Sequence, residues 1–499
     1  MKILAAAETR EADAYTIKNE PIASIDLMER ASLAFLKVFT EHFHSKRTIH
    51  IFCGSGNNGG DGLAVARLLL QKKYNVETYL VNFKEKGSTD FMTNLERLKK
   101  IHEPQMIKEK GKFPTFTEDD VVIDAIFGSG LTRPVEGINA QVISEINEKA
   151  KHIVAIDIAS GLFADAPSRK GAIIKPSLTI TFQMPKLAFL IPENEIYVGA
   201  WTVVNIGLNR DFIEKTASAN YMMTRRLVKD MIRERKRFSH KGDFGKAILL
   251  CGSMGKMGAA VLCAKACMRT GAGLLTMQVP RCGYNIMQTS VPEAMVSVDI
   301  QKDYLTQYPD LSPYNVVGIG PGIGTNPETT KMMYKLLENH SNPMAIDADA
   351  INIIGKNRFL LEKLPEGSIL TPHLKEFERI TEACDNHFDR LETQRNFSIK
   401  YKVVVILKGA NSSVSLPDGR ILFNTTGNPG MATGGSGDVL TGMITSLLAQ
   451  NYRPSEAAIL GTYLHGLAGD LAEEKYGREG LIASDIIEEI PKAFLHTKK

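Results

Sequence analysis

The sequence predicts an α/β protein of two domains: over 1–215 a mostly parallel, doubly wound sheet, and over 216–499 a further α/β domain. Three observations carry this. The chain has 499 residues, too long for one ordinary core at roughly 150 residues per domain. Short apolar runs of strand character alternate with helical stretches in two successive series. Almost every run ends in a loop rich in Gly, Asp, Asn or Ser, and such loops at the carboxyl ends of parallel strands build ligand crevices.

In the first series a helical lead-in, apolar at Leu27, Met28 and Ala31 to Phe39, precedes the buried strand Thr48–Cys53. That strand runs into Gly54-Ser-Gly-Asn-Asn-Gly-Gly-Asp-Gly62 and then a helix, Leu63 to Leu70, the opening of a βαβ unit. Further strands are expected at Asn75–Val81, Val121–Ile126, Ile153–Ile158 and Leu178–Phe182. Gly54 to Gly59 formally fits Gly-x-Gly-x-x-Gly, but the ribose-binding acid of a dinucleotide fold should end the second strand. Glu77 lies near its beginning instead, and Asn82 follows its end. Asn57, Asn58 and Asp61 suit a loop that orients a hydroxyl or holds a cation. Asp124 and Asp157 end neighbouring strands, and Asn58, Asp124 and Ser160 together form an oxygen-rich set for a hard cation, potassium or magnesium. The competing reading is that Asp124 and Asp157 only cap the turns that follow them.

The second series places strands at Lys246–Leu250, Leu274–Val279, Val316–Ile319, Ala345–Asp347, Ser368–Thr371 and Val403–Lys408. Their loops include Gly252 to Ala259, Gly320 to Gly324, Asp347 to Asn352, Thr371-Pro-His373 and Lys408-Gly-Ala-Asn-Ser412. The most informative stretch is Asn424 to Asp438, a glycine-rich loop against an apolar run, Val439 to Leu448, with one carboxylate at the junction. Free amides and the dipole of a helix N-terminus attract phosphate. Asp438 there is placed to take a proton from a hydroxyl that attacks a phosphoryl group. Lys408 suits a nucleotide phosphate, His373 is a candidate substrate contact, and Glu376 is a candidate indirect holder of magnesium.

Sixty basic against 56 acidic side chains leave a net charge of +4, too balanced for a nucleic-acid stripe, and Arg233 to Lys241 reads as a solvated connector. The six cysteines form no paired framework, so a reducing cytoplasm is expected. The first ten residues hold too short an apolar core for a signal peptide, and no apolar run approaches the roughly 20 residues a membrane span needs.

Asn57-Asn-Gly-Gly-Asp61, Asp124-Ala-Ile-Phe-Gly-Ser-Gly130 and Asp157-Ile-Ala-Ser-Gly161 resemble the NAD(P)H-hydrate epimerase domain over roughly residues 1 to 210. The resemblance implies a Rossmann-like fold, a hydrated nicotinamide nucleotide held by Asn57, Asn58, Gly59, Gly60 and Asp61, and further contacts from Gly128, Ser129, Gly130, Leu131, Thr132, Arg133 and Pro134. It implies potassium at Asn58, Asp124 and Ser160, and Asp157 as a substrate contact and the expected proton carrier. Ala159 departs from the family's usual proline. The second half, about 220 to 496, resembles the ribokinase-like NAD(P)H-hydrate dehydratase domain, with Gly427 to Asp438 fitting its signature. That implies Asp438 as the base, Lys408, Gly409, Ala410, Asn411, Ser412 and Gly437 on the nucleotide, and Ala259, Gly322, His373 and Asp438 on the hydrate. Leu374 and Lys375 replace the family's usual Pro-Gly.

The order of the halves resembles the fused bifunctional repair enzymes, which interconvert the R and S hydrates of NADH and NADPH and dehydrate the S form with ADP, releasing AMP and phosphate. Magnesium is expected with the nucleotide, and a homo-oligomer as the assembly. The alternative is a ribokinase-like kinase of a small hydroxylated metabolite with a nucleotide-binding N-terminal module.

Overall fold

The structure, a computed structural model, describes residues 1–108, 113–168 and 170–499. The chain divides into two compact units, Lys2–Ser218, and Ala219–Lys499 together with Met1.

In the first unit the strand order is Gln105–Ile107, Asn75–Val81, Thr48–Cys53, Val121–Ala125, His152–Ile156, Leu178–Phe182, Ala200–Val204, and every pair is parallel. Both faces are covered, which is why the strands read as continuous apolar runs. Val121, Ile123 and Ala125 pack into one buried layer with Phe35, Leu63 and Leu69. Val122 faces the other, with Ile143, Ile146 and Phe189. Thr48–Cys53 lies between Asn75–Val81 and Val121–Ala125, so chain order reverses there and the loops after Cys53 and Ala125 flank the switch point.

The glycine-rich segment differs from its expected form. The helix begins at Asn57, not Leu63, so Asn57 to Asp61 are its first turn. The glycines let that turn press onto the sheet: a Cβ at Gly59 would lie 1.8 Å from the Gly54 carbonyl oxygen, and one at Gly62 2.5 Å from the Ala125 Cβ.

The second unit orders its strands Asn220–Met222, Ile421–Phe423, Ser413–Ser415, Val404–Leu407, Ile369–Leu370, Ala345–Ile346, Val316–Ile319, Lys246–Leu250, Leu274–Val279, Met295–Val298. From Met295–Val298 through Val404–Leu407 the pairing is parallel, and Ser413–Ser415 then pairs antiparallel with both of its neighbours. Helix Ser436–Ala449 lies against helix Met257–Thr270 so closely that a Cβ on Gly442 would sit 2.1 Å from the Cys263 carbonyl oxygen. Among the described residues no helix is long and apolar enough to cross a membrane.

Candidate active sites

In the first unit the strand ends bring Asn58, Asp124 and Ser160 together. Asp124 is fully buried and accepts from the Ser160 amide at 2.7 Å, the Ser160 hydroxyl at 2.6 Å and the Ile126 amide at 3.2 Å. The Phe127 carbonyl accepts from the Asn58 amide group at 3.0 Å and from Ser160 Oγ at 3.2 Å. One carboxylate, a hydroxyl, a side-chain amide and a main-chain carbonyl thus form one hydrogen-bonded cluster. Burial pushes Asp124 up to about 6, against the pull of its donors, Ser160 first and then Ile126. Gly128 brings its loop against this cluster, since a Cβ there would lie 3.3 Å from the Asn58 Cβ. Gly128 to Pro134 then runs outward, with Thr132, Arg133 and Pro134 exposed.

Asp157 follows strand His152–Ile156 in a left-handed conformation, φ 65°, which costs energy in a residue with a Cβ and collects at functional sites. Its Oδ1 accepts from Lys186 Nζ at 2.6 Å, Thr181 Oγ1 at 3.1 Å and the Phe182 amide at 3.1 Å. Lys186 is only 4% exposed and also donates to Thr181 Oγ1 at 2.9 Å. Two more carboxyls feel this pair. Asp13 is raised to about 6, by burial first, then by Asp157, with Lys186 opposing. Asp61 is raised well above its ordinary value by burial and then by Asp157, Asp13 and Asp90. Lys186 and Asp13 were absent from the sequence reading. The polar position just past strand Leu178–Phe182 was the available signal for Lys186; Asp13 lies on helix Ala6–Asn19, where no local pattern marks it.

In the second unit a cleft of about 720 Å³ is lined by His373, Lys408, Gly409, Ala410, Ser412, Gly437 and Asp438, with Asp347 and the loop from Asn424 to Ser436. Gly435 starts the helix at φ 94°, and the first amide bonding back is that of Val439, to Gly435 O at 3.1 Å. The amides of Ser436, Gly437 and Asp438 therefore stand ahead of the ladder at the positive end of a 14-residue helix. Lys408 Nζ reaches Asp347 Oδ1 at 2.9 Å, and Thr441 Oγ1 donates to Asp347 Oδ2 at 2.7 Å. A Cβ on Gly437 would come within 3.1 Å of Lys408 Nζ, so the lysine lies directly over the helix start. Asp438 is raised to about 6 by burial, then by Asp347, with Lys408 opposing and Asp349 adding to the rise. A carboxylate with that affinity for a proton is suited to general-base work near neutral pH.

Other side chains hold the loop in place. Asp470 accepts from the Gly427 amide at 3.0 Å and from Asn428 Nδ2 at 3.1 Å. His465 is held down to about 4 by burial, so it stays neutral and Nε2 donates to the Ser436 carbonyl at 3.0 Å. Glu376 caps a helix beside this cleft. Its Oε2 accepts the His373 amide at 2.9 Å while His373 Nδ1 accepts the Glu376 amide at 3.2 Å, a reciprocal cap on helix Leu374–Ile380.

Ala259 and Gly322 are not in the lining of this cleft. They adjoin each other: a Cβ on Gly322 would lie 3.2 Å from the Ala259 Cβ and 2.9 Å from the Lys256 carbonyl oxygen. The loops that carry them are tied by Ser253 Oγ donating to Gly322 O at 2.7 Å and Gly252 N to Pro321 O at 2.8 Å. Lys256 Nζ and the Gly324 amide both reach Asp349 Oδ2, at 3.2 and 2.8 Å. Among the described residues no group of three or more His, Cys, Asp or Glu is arranged to hold a metal ion.

Two family models match the chain. Residues 247–492 match the family described as NAD(P)H-hydrate dehydratase, and residues 24–188 the family described as YjeF-related protein N-terminus. The bifunctional NAD(P)H-hydrate repair enzyme Nnr of Moorella thermoacetica is 36% identical across 98% of this chain and 96% of its own. That of Thermofilum pendens is 31% identical across 99% and 96%. Among solved structures, a ribokinase-like superfamily protein from Enterococcus faecalis is 26% identical, covers 57% of this chain and 99% of its own, and superposes with a TM-score of 0.50.

Proposed function

Because the chain belongs to the bifunctional NAD(P)H-hydrate repair enzymes, with an epimerase and a dehydratase domain, we propose which residues perform the two reactions and with which co-substrates. The observation that carries the proposal is Asp438 at the amide-rich helix start beside the Lys408–Asp347 pair, inside a cleft of about 720 Å³.

In the dehydratase domain, 216–499, Asp438 takes the proton of the ring hydroxyl of the S-hydrate as that oxygen attacks the terminal phosphoryl of ADP. The new P–O bond forms as the bond to AMP breaks. Lys408 meets the phosphate charge, and the amides ahead of Val439 receive the transferred group. The C–O bond to phosphate then breaks, a ring proton leaves, and the dihydropyridine is restored; the products are NAD(P)H, AMP and phosphate. Phosphate leaves far more readily than hydroxide, which is why a dehydration consumes a nucleotide. Gly409, Ala410, Asn411, Ser412 and Gly437 contact the nucleotide in this reading, and Ala259, Gly322 and His373 the hydrate. Magnesium would accompany the nucleotide phosphates and supply charge neutralisation of the phosphoryl group as it transfers.

In the epimerase domain, 1–215, the hydrate lies between Asn57 to Asp61 and Gly128 to Pro134. Asp157, hydrogen-bonded by Lys186, takes the proton of the ring hydroxyl as the hemiaminal C–N bond opens to an aldehyde and passes it to the ring nitrogen, and the proton returns to oxygen when the ring recloses on the other face. Burial first, and then the neighbouring Asp157, raise the proton affinity of Asp61, which stands in the first turn of the helix that borders the substrate. A single carboxylate among neutral oxygens fits potassium better than a divalent ion, and Asn58, Asp124 and Ser160 with the Phe127 carbonyl would hold it. When bound it neutralises Asp124 and fixes the two loops that border the substrate.

A reducing cytoplasm fits six free thiols, four of them buried. A homo-oligomer belongs to the same proposal and is read by light scattering. The chemical test mixes the chain with S-hydrate, magnesium and ADP or ATP, and follows dihydronicotinamide absorbance with phosphate. Their joint rise with ADP supports the reading; consumption of nucleotide with a phosphorylated product retained contradicts it.

A further inference from the structure

The dehydratase domain has a second cleft, about 530 Å³, lined by Thr325, Asp349, Asn352, Gly355, Lys356 and Arg379. It adjoins the first through a single peptide, since Ala348 lines one cleft and Asp349 the other. Its volume is in the range of small-ligand sites, roughly 300–1,000 Å³. Asp349, Asn352 and Lys356 share one face of helix Ala348–Lys356 at helical spacing. Gly355 lets the neighbouring helix approach, because a Cβ there would lie 3.0 Å from the Arg379 Cβ.

The charges are unequal. Asp349 is already met by Lys256 Nζ and the Gly324 amide. Arg379 holds the Asn352 side-chain oxygen, and neither Arg379 nor Lys356 is ion-paired with a carboxylate among the described residues. Two uncompensated cations, an amide and the Thr325 hydroxyl are a phosphate-binding set.

We propose that this cleft receives the adenosine-phosphate end of the hydrate, with Lys356 and Arg379 meeting its phosphate. The inference rests on the dehydratase reading above. A dinucleotide whose reacting ring lies at Asp438 has to lead its other end away from the nucleotide donor at Lys408 to Ser412, and Asp349, next in sequence to Ala348 of the first cleft, accepts the Gly324 amide of the loop that carries Gly322. Each cation also ends a helix, where the dipole alone favours positive charge. The test therefore needs a readout that a purely structural pair would not move.

The full chain carrying K356A and R379A is compared with wild type and with K356R/R379K, using the S-hydrates of NADH and NADPH. The KM of the hydrate is expected to rise about tenfold or more, with kcat and the KM of ADP within about twofold, and the charge-retaining variant to recover most of the loss. A larger rise for the NADPH hydrate assigns the contact to the ribose phosphate, and equal rises to the pyrophosphate; both support the cleft. Unchanged hydrate KM, a rise in the KM of ADP instead, or a loss of Tm alone overturns it. A wild-type chain inactive on either hydrate would remove the dehydratase reading and this one together.

Discussion

Asp438→Asn should abolish dehydration and stabilise the protein. Asp438 is moved by burial and by Asp347 from 3.8 to about 6. Ionising it in the folded chain therefore costs about 3 kcal/mol relative to the unfolded chain. Its place in the first turn of helix Ser436–Ala449 returns about 0.3–1 kcal/mol through the dipole, so asparagine should gain about 2 kcal/mol at pH 8. The sign follows from linkage. A carboxyl whose folded value is raised destabilises the fold once it ionises, so the difference between the two proteins is full above about pH 6 and vanishes below 3.8. Urea unfolding of wild type and variant from pH 4 to pH 8 measures it, with turnover assayed in parallel. In the wild type, turnover should fall about tenfold per pH unit below about 6 as the base is protonated. A variant less stable than wild type at pH 8, or equally stabilised at pH 4 and pH 8, would refute the burial argument.

Lys186→Met strips the cation from an Asp157 whose side chain is 14% exposed. Breaking such a pair costs about 3–5 kcal/mol, so the N-terminal unit should unfold earlier and epimer interconversion should be lost, while dehydration of pure S-hydrate persists in the same assay. Ser160→Ala removes the donor to Asp124 and the acceptor of the Phe127 amide, at about 1–3 kcal/mol by thermal melt, and should abolish any activation by KCl over an organic-cation control. Gly442→Ala pushes a methyl to 2.1 Å from the Cys263 carbonyl oxygen, forcing helix Met257–Thr270 outward; about 1–3 kcal/mol should be lost and the hydrate KM raised, because that helix carries Ala259.

The sheets were legible because every parallel strand buried on both faces is a plain apolar run. Boundaries slipped where a polar residue ends the ladder: the expected strand over Ile153–Ile158 stops at Ile156, since Asp157 turns left-handed. Strands of three residues such as Ser413–Ser415 and Gln105–Ile107 escaped notice because neither carries an apolar run. The helix start at Asn57 was hidden by its glycines, which are poor helix formers kept there for close approach. The rule that ligands lie beyond the carboxyl ends of parallel strands led to Asp438, Lys408, Asp124 and Asp157. It could not supply their partners. Lys186 meets Asp157 from 29 positions away and Lys408 meets Asp347 from 61, distances at which no local pattern links two residues. The second cleft was equally invisible, since its cations come from two helices joined only by tertiary packing.

The central claim, two active sites serving one repair, is tested most directly by giving the chain an equal mixture of R and S hydrates with magnesium and ADP, and following the absorbance of restored NADH to completion. The account predicts full restoration with one phosphate per NADH by the wild type, and rapid restoration of only the S share by Asp157→Asn, with the R share following at its spontaneous rate. Full restoration by Asp157→Asn at the wild-type rate would contradict the assignment of epimerisation to that site, and no restoration by the wild type would contradict the account as a whole.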